Sequence, residues 1–500
     1  MWLILIRLLL LNTLVRISAS DSSLFYIYDW PSNVTNSFPD SFHHKNQHIT
    51  PNFKENGGVG EVIDEVEGLY HTHQYSLFTT FLKRLEESPY RTMKPELAKL
   101  FFIPYDLGMD ATTRRSDGAL DQTGCPRRNQ VMSLLSKSNY FKQNNGKNHF
   151  ILHSINHMML YYVTKSCREF YKYCEHCIKL SIDKYDVTHY RELNRSSMKD
   201  MSHNWYSIPF PSNYHYTPLS IQKLNKPINM GMGSNNDRWY DIVYMGSDWV
   251  TAQKNKKLRG TLRRQCMKHT NLVFGNDLKR MNEDENKDKE KDKDMMMREE
   301  KLEHSSCLLV TLDSHGSNTK SIFHSSQYHH RHHNSHKKEN QKQNQVIDNV
   351  ASIKANRSPY SHGKFCLMPG GDFPTRKGTL DALMAGCIPV TFQKGAAQHQ
   401  WKWHWGSEDA AEQATHYIPR DDMMKNPELE FQKLLLLAQN STFLNKKYHA
   451  IQQVKSRLQY NVPGSFSGMK IKESAPVDAV DVVLEHILHH GGLNEGNHQF

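Results

Sequence analysis

The residues with the clearest chemical potential lie in the run Lys364-Phe-Cys-Leu-Met-Pro-Gly-Gly-Asp372-Phe-Pro-Thr-Arg376-Lys-Gly-Thr-Leu-Asp381-Ala-Leu-Met-Ala-Gly386-Cys-Ile-Pro-Val-Thr-Phe392. Gly370 and Gly371 let backbone approach a ligand closely, and Asp372 and Thr375 place polar groups beside them. Arg376 stands where this loop passes into a helix, whose free N–H groups and dipole favour negative charge, so loop, helix start and guanidinium together suit a diphosphate. Asp381 lies about one turn further in, where a carboxylate accepts hydrogen bonds from ribose hydroxyls as acidic residues do in other nucleotide sites. A plainer reading stands beside this one: Lys377 and Asp381 have the i, i+4 spacing of a surface salt bridge.

The elements that must hold this loop follow from the apolar pattern. Phe365 to Met368 read as a short strand, Leu380, Leu383 and Met384 as one apolar helix face, Gly386 as the helix stop, and Cys387 to Phe392 as a second strand. A strand–helix–strand unit of this kind is a right-handed crossover that puts its loop at the carboxyl edge of a parallel sheet. Upstream, Leu24-Phe-Tyr-Ile-Tyr-Asp29-Trp-Pro31, Leu100-Phe-Phe-Ile103 and Asn148-His-Phe-Ile-Leu152 read as strands, with a helix expected around Tyr70 to Leu85. Alternating strands and helices mean a parallel α/β sheet.

Five hundred residues call for two cores of roughly 200 residues each. The Gly-, Pro- and Asn-rich stretch 226–236 marks the boundary, giving an N-terminal domain over 21–230 and a C-terminal domain over 237–480. From about 279 to 345 the chain carries a Lys/Asp/Glu/Met run and a His-rich tract around the apolar Cys307 to Leu312. The flanks lack the apolar surface to offset ordering entropy and read as disordered loops. The His tract could hold metal, but its composition is that of a solvated low-complexity segment.

The run 364–392 resembles the signature of the exostosin-like glycosyltransferases, glycosyltransferase family 47, and especially of its plant branch that includes xyloglucan galactosyltransferases. The resemblance rests on Phe365-Cys-Leu, Pro369-Gly-Gly-Asp372, Thr375-Arg376, Asp381-Ala382 and Ala385-Gly-Cys-Ile-Pro-Val390 in that order. Tyr26-Ile-Tyr-Asp29-Trp-Pro31, Leu100-Phe-Phe-Ile-Pro104 and Asn148-His-Phe are similar to further strands of that family. Asn148, where the family often has Asp, and the long insertion depart from it. The resemblance implies two Rossmann-like domains facing a cleft, the GT-B type, with the donor nucleotide held mainly by the second.

It also implies transfer of a sugar from a nucleotide sugar, such as a UDP-sugar, to a glycan acceptor with inversion, and no other cofactor. The departing diphosphate must then be neutralised. Besides Arg376, the candidates are Arg259 and Arg263, spaced i, i+4 on a helix after Gly246, where the glycine allows backbone close to the phosphates. With Lys254, Lys256, Lys257 and Arg264 nearby, these arginines also fit an ordinary basic surface. No metal site is expected, because Asp292-Lys-Asp294 is the nearest paired-aspartate motif and lies in the charged insertion. Inversion calls for a base on the acceptor hydroxyl, and Asp106, Asp110, His71 and His73 in the first domain are the candidates. A lone Asp after a strand is also a common loop residue or helix cap.

Trp2 to Leu14 are mostly apolar and lead to Ser18-Ala-Ser20, the pattern of an export signal, cleaved or kept as an anchor. Acceptor triplets for N-glycosylation at Asn33, Asn194, Asn356 and Asn440 agree with export, and so does a place in the Golgi membrane or lumen. Eight cysteines in an oxidising compartment should pair in part. Cys174-Glu-His-Cys177 has the spacing of half a zinc site, but no second pair completes it. The net charge of +11 also fits a non-catalytic lumenal glycan binder that keeps the same fold. Nucleic-acid binding has only the charge in its favour, and the export signal opposes it.

Overall fold

The computed structural model describes residues 24–31, 34, 55–111, 125–156, 165–184, 204–225, 238, 240–246, 253–269, 273–274, 307–311, 359–371, 373–466 and 476–489. Residues 1–23, Asp372 and, apart from 307–311, the stretch 279–345 lie outside that set. The strands are β1 (Leu24–Ile27), β2 (Val62–Asp64), β3 (Leu69–Tyr70), β4 (Ala98–Phe102), β5 (His149–His153), β6 (Ile178–Ser181) and β7 (Trp205–Ser207). They continue as β8 (Tyr240–Gly246), β9 (Val273–Phe274), β10 (Cys307–Thr311), β11 (Gly363–Met368), β12 (Ile388–Thr391) and β13 (His416–Tyr417). The helices include α1 (Leu77–Glu86), α2 (Leu107–Ala111), α3 (Gln253–Lys268), α4 (Lys377–Met384) and α5 (Ala479–His489).

The chain forms two compact units, neither of them one continuous stretch. The first holds 1–43, 75–208 and 479–500, and the second 44–74 and 209–478. Each is built on a parallel sheet with helices, so the α/β class read from the sequence is the one observed.

In the first unit the strand order is β1-β4-β5-β6-β7, and every neighbouring pair is parallel. The aromatic and branched residues of β4 and β5 are buried, and α1 turns Leu77, Phe78, Phe81 and Leu85 inward, with Phe78 and Phe81 against Phe102. Burying each such side chain stabilises the fold by about 1.5–3 kcal/mol. The helix expected around Tyr70 to Leu85 begins only at Leu77. Tyr70 instead pairs with Val62 in the β2–β3 hairpin and belongs to the second unit. A Tyr-His-Thr-His run has no helical apolar period, and hydrogen bonds from Tyr70 N to Asn213 O (2.8 Å) and from His71 N to Glu61 O (2.8 Å) hold it extended. A disulfide joins Cys125 to Cys167.

The second unit carries a six-stranded parallel sheet in the order β13-β12-β11-β8-β10-β9. The apolar run after Cys307 is an interior strand of that sheet, aligned with β8 from Cys307 opposite Ile242 to Thr311 opposite Gly246. Disulfides Cys266–Cys307 and Cys366–Cys387 tie α3 to β10 and β11 to the entry of β12. Cys174 and Cys177, in the first unit, are buried free thiols.

Candidate functional site

The segment 364–392 folds as strand, loop, helix and strand: β11 ends at Met368, α4 opens at Lys377, and Gly386 closes it at a left-handed φ of 74° before β12. β8 and β11 are neighbours, yet from β8 the sheet continues to β10 and β9 on one side, and from β11 to β12 and β13 on the other. Their carboxyl ends flank a switch point, where open parallel sheets leave room for a ligand. Gly246 ends β8 at this edge, and Gly370 and Gly371 follow β11 at the same edge.

The basic residues of α3 divide into two faces. Lys254, Lys256, Lys257 and Arg264 are exposed, whereas Asn255 and Arg259 are buried and point at the glycine loop. Arg259 Nε donates to the Gly370 carbonyl at 3.0 Å, and Asn255 Nδ2 donates to the Gly371 carbonyl at 2.6 Å. A Cβ on Gly371 would lie 2.9 Å from Arg376 Nη1 and 3.7 Å from Arg259 Nη2. Two guanidinium groups from separate elements therefore meet over one glycine. Arg263 is half-buried one turn further along α3, and a Cβ on Gly246 would lie 3.3 Å from the Tyr244 hydroxyl.

Thr375 and Gln393 add neutral polar groups. Thr375 Oγ1 is buried in the loop before α4 and has no hydrogen-bond partner among the described residues, and the same holds for Gln393 Oε1, just past β12. Tyr360 lies against the first turn of α4, its hydroxyl 3.0 Å from where a Cβ of Gly378 would stand. Burial raises the pKa of that hydroxyl, the nearby Asp381 raises it further, and Arg259 opposes the rise.

Asp381 forms the i, i+4 pair, but below the surface rather than on it. Lys377 Nζ lies 2.9 and 3.0 Å from its two oxygens, so the i, i+4 pair forms, but the side chains are only 14% and 10% exposed. Asn213 N donates to Asp381 Oδ1 at 2.8 Å, and Lys377 Nζ donates to Asn213 Oδ1 at 2.7 Å. Burial lowers the pKa of Lys377, and the carboxylate of Asp381 opposes that shift. The result is a buried ion pair that fixes the turn around Asn213 to α4. Nothing local in the sequence marks Asn213 as part of this site.

In the first unit, Asp106 caps α2. Its Oδ1 accepts from Gly108 N (3.0 Å), Met109 N (3.2 Å) and Ser154 N (3.2 Å), while Oδ2 has no partner among the described residues. Burial raises its pKa to about 6 against the pull of the hydrogen bonds from Ser154, Met109 and Gly108. Asp110 accepts from the Tyr105 hydroxyl at 2.6 Å, Arg127 N at 3.0 Å and Arg127 Nε at 2.7 Å, so both its oxygens are engaged. Both acids are buried. His71 and His73 follow β3 in the second unit and are half-buried. Asp372 lies outside the described residues, as do Asp292 and Asp294. Among the described residues there is no cluster of His, Cys, Asp and Glu able to hold a metal ion, and no helix long and apolar enough to cross a membrane.

The sequence profile of the Exostosin GT47 domain matches residues 21–329 and 312–431. Among curated proteins of Arabidopsis thaliana, the probable xyloglucan galactosyltransferase GT17 is 22% identical over 472 residues, which is 92% of this chain and 81% of that protein. The probable xyloglucan galactosyltransferase GT19 is 34% identical over 130 residues, 26% of this chain and 29% of its own length. For GT15 the match is 22% over 368 residues, 70% of this chain and 58% of the relative. The matched stretch thus spans well under two thirds of GT19 and GT15. A solved α-glucosyltransferase in complex with UDP-glucose and DNA overlaps 79% of this chain and 93% of its own at 8% identity and a TM-score of 0.30, too loosely to bear on the site. On the profile match, which extends over most of its length and includes the glycine loop and both arginines, the chain belongs to the Exostosin GT47 domain family.

Proposed function

We propose that this chain transfers a sugar from a UDP-linked donor to a glycan or polysaccharide acceptor, with inversion, in the Golgi membrane or lumen. The observation that carries the reading is the meeting of Arg259 and Arg376 over Gly371 at the switch point between β8 and β11. As the bond between the sugar carbon and the diphosphate oxygen breaks, negative charge grows on the departing phosphate. Fixed guanidinium groups in a partly water-excluded site stabilise that charge without reorganising. The first-turn N–H groups of α4 and the Thr375 hydroxyl supply neutral donors beside them. The relatives are named as probable xyloglucan galactosyltransferases, which supports a galactosyl donor and a xyloglucan-like polysaccharide acceptor.

Inversion requires a base on the acceptor hydroxyl. Asp106 caps a helix and Asp110 is paired with Arg127, both below the surface, so the reading does not rest on either. The test is to incubate purified protein with a panel of UDP-sugars and oligosaccharide acceptors and to follow products by mass spectrometry, with a chelator in one arm and manganese in another. Transfer that persists in the chelator supports the arginine reading. Absence of both transfer and donor hydrolysis with every donor would overturn the proposed activity.

A further inference from the structure

Gln393 stands two residues past the end of β12, at the same edge of the sheet as the glycine loop. A Cβ on Gly370 would lie 2.8 Å from Gln393 Oε1 and 2.7 Å from Asn255 Nδ2, so both amides overhang that glycine. The orientation of these amides is set by a chain of hydrogen bonds. A backbone carbonyl only accepts, so Asn255 must offer Nδ2 to Gly371 O, at 2.6 Å. Its Oδ1 is then left to accept from Gln393 Nε2, at 3.4 Å. That turns Gln393 Oε1 away from Asn255, buried and without a donor among the described residues.

A buried acceptor with no donor is costly, and the cost is relieved when a ligand brings one. Phosphate oxygens at neutral pH bring none and would be repelled. Resting on the donor reading above, we infer that Gln393 Oε1 accepts a hydrogen bond from a ring hydroxyl of the bound nucleotide sugar. Ribose and the transferred sugar flank the diphosphate on its two sides, so each offers hydroxyls within one ring of the arginine pair. Gln393 is then a donor-recognising residue, separate from the charges that hold the diphosphate.

The experiment is calorimetric titration of the parent protein and of Gln393→Met with UDP, UDP-galactose, 2′-deoxy-UDP and 3′-deoxy-UDP. Gln393→Asn serves as a second variant, and melting temperatures check the fold. Loss of one neutral hydrogen bond should weaken binding roughly fivefold to tenfold. If the ribose is read, UDP binds the variants more weakly, and the difference disappears with one of the deoxy ligands. If the transferred sugar is read, UDP-galactose loses affinity while UDP does not. Equal weakening for every ligand, deoxy ones included, would mean that Gln393 only braces Asn255 and the loop, and would overturn the inference. Unchanged binding of UDP and UDP-galactose would overturn it too. A parent protein that binds no nucleotide would instead overturn the donor reading beneath it.

Discussion

Arg259 Nε lies 3.0 Å from the carbonyl oxygen of Gly370, although the two residues stand 111 positions apart. The bond uses one of the five N–H donors of the guanidinium and anchors the rest, with Nη2 turned toward Gly371. Arg259 is only 2% exposed, so its charge is held in place before any ligand arrives. Arg376 comes to the same point from the N-cap of α4, in extended backbone at φ −143° and ψ 145°. One arginine is rigid and buried, and the other is half-buried on the loop.

Arg376→Ala should lower the transfer rate by about 100-fold, on the order of 3 kcal/mol, because the charge it meets grows as the bond breaks. Turnover should fall further than donor affinity. Steady-state kinetics with the preferred UDP-sugar checks this. A folded variant with parental turnover would leave Arg259 as the functional cation.

Gly371→Ala should cost less than about 1 kcal/mol of stability, since the nearest atom to the new methyl is the movable tip of Arg376, 2.9 Å away. The function should suffer more, because the displaced guanidinium no longer overlies the loop. Donor affinity is expected to fall by about tenfold with the melting temperature nearly unchanged, and a parental dissociation constant would count against the site.

Asp381→Asn should destabilise the protein by about 3 kcal/mol, as it leaves Lys377 buried without its counter-charge. Replacing both residues by Leu and Met should be milder than the single change, which denaturant unfolding of the three variants measures. A single variant as stable as wild type would show the pair to be solvated.

The Asp106 contribution should depend on pH with a definite sign. Its folded pKa of about 6 lies above the unfolded value of about 3.9. Its contribution is therefore fully present below about pH 4 and is lost as pH rises through about 6. His149, lowered to about 3, and His215, lowered to about 4, work in the opposite direction. Only the difference between wild type and Asp106→Asn isolates the carboxyl. That difference should shift in favour of the variant between about pH 4 and 7 by on the order of 2–3 kcal/mol, and a flat difference would show that folding leaves the Asp106 pKa unshifted.

Cys174 and Cys177 should resist alkylation in the native protein and react once it is unfolded. Both thiols are buried, and burial together with the neighbouring thiol pushes the Cys174 pKa well up, which suppresses the reactive thiolate. Mass spectrometry without reduction should count two alkylated cysteines after denaturation. Fewer would mean that the pair is oxidised.

What was legible in the sequence was local. The strands around Phe101, Phe150, Leu367 and Val390 and the glycine stop at Gly386 follow from apolar runs and turn residues within a few positions. Asp381 shows the limit. Its i, i+4 partner could be read, but its burial and its bond to Asn213, 168 positions away, could not. On α3 the clustered charges obscured a buried face, for which Leu258 and Leu262, flanking Arg259, were the available signal. The helix expected from Tyr70 lacks about its first two turns because a hairpin partner decides the backbone there. Gln393 carries no sequence signal, since an isolated amide after a strand has no pattern.

The make-up of the two units sets an order of events during synthesis. α5 belongs with the first unit, where Arg84 and Asp481 approach to 3.9 Å although the whole of 209–478 lies between them in the chain. A ribosome will have released the entire second unit before that helix exists. The first unit must therefore wait for α5, which packs against α1, while the second completes its fold, and a premature stop ahead of residue 479 would leave the first unit without that helix.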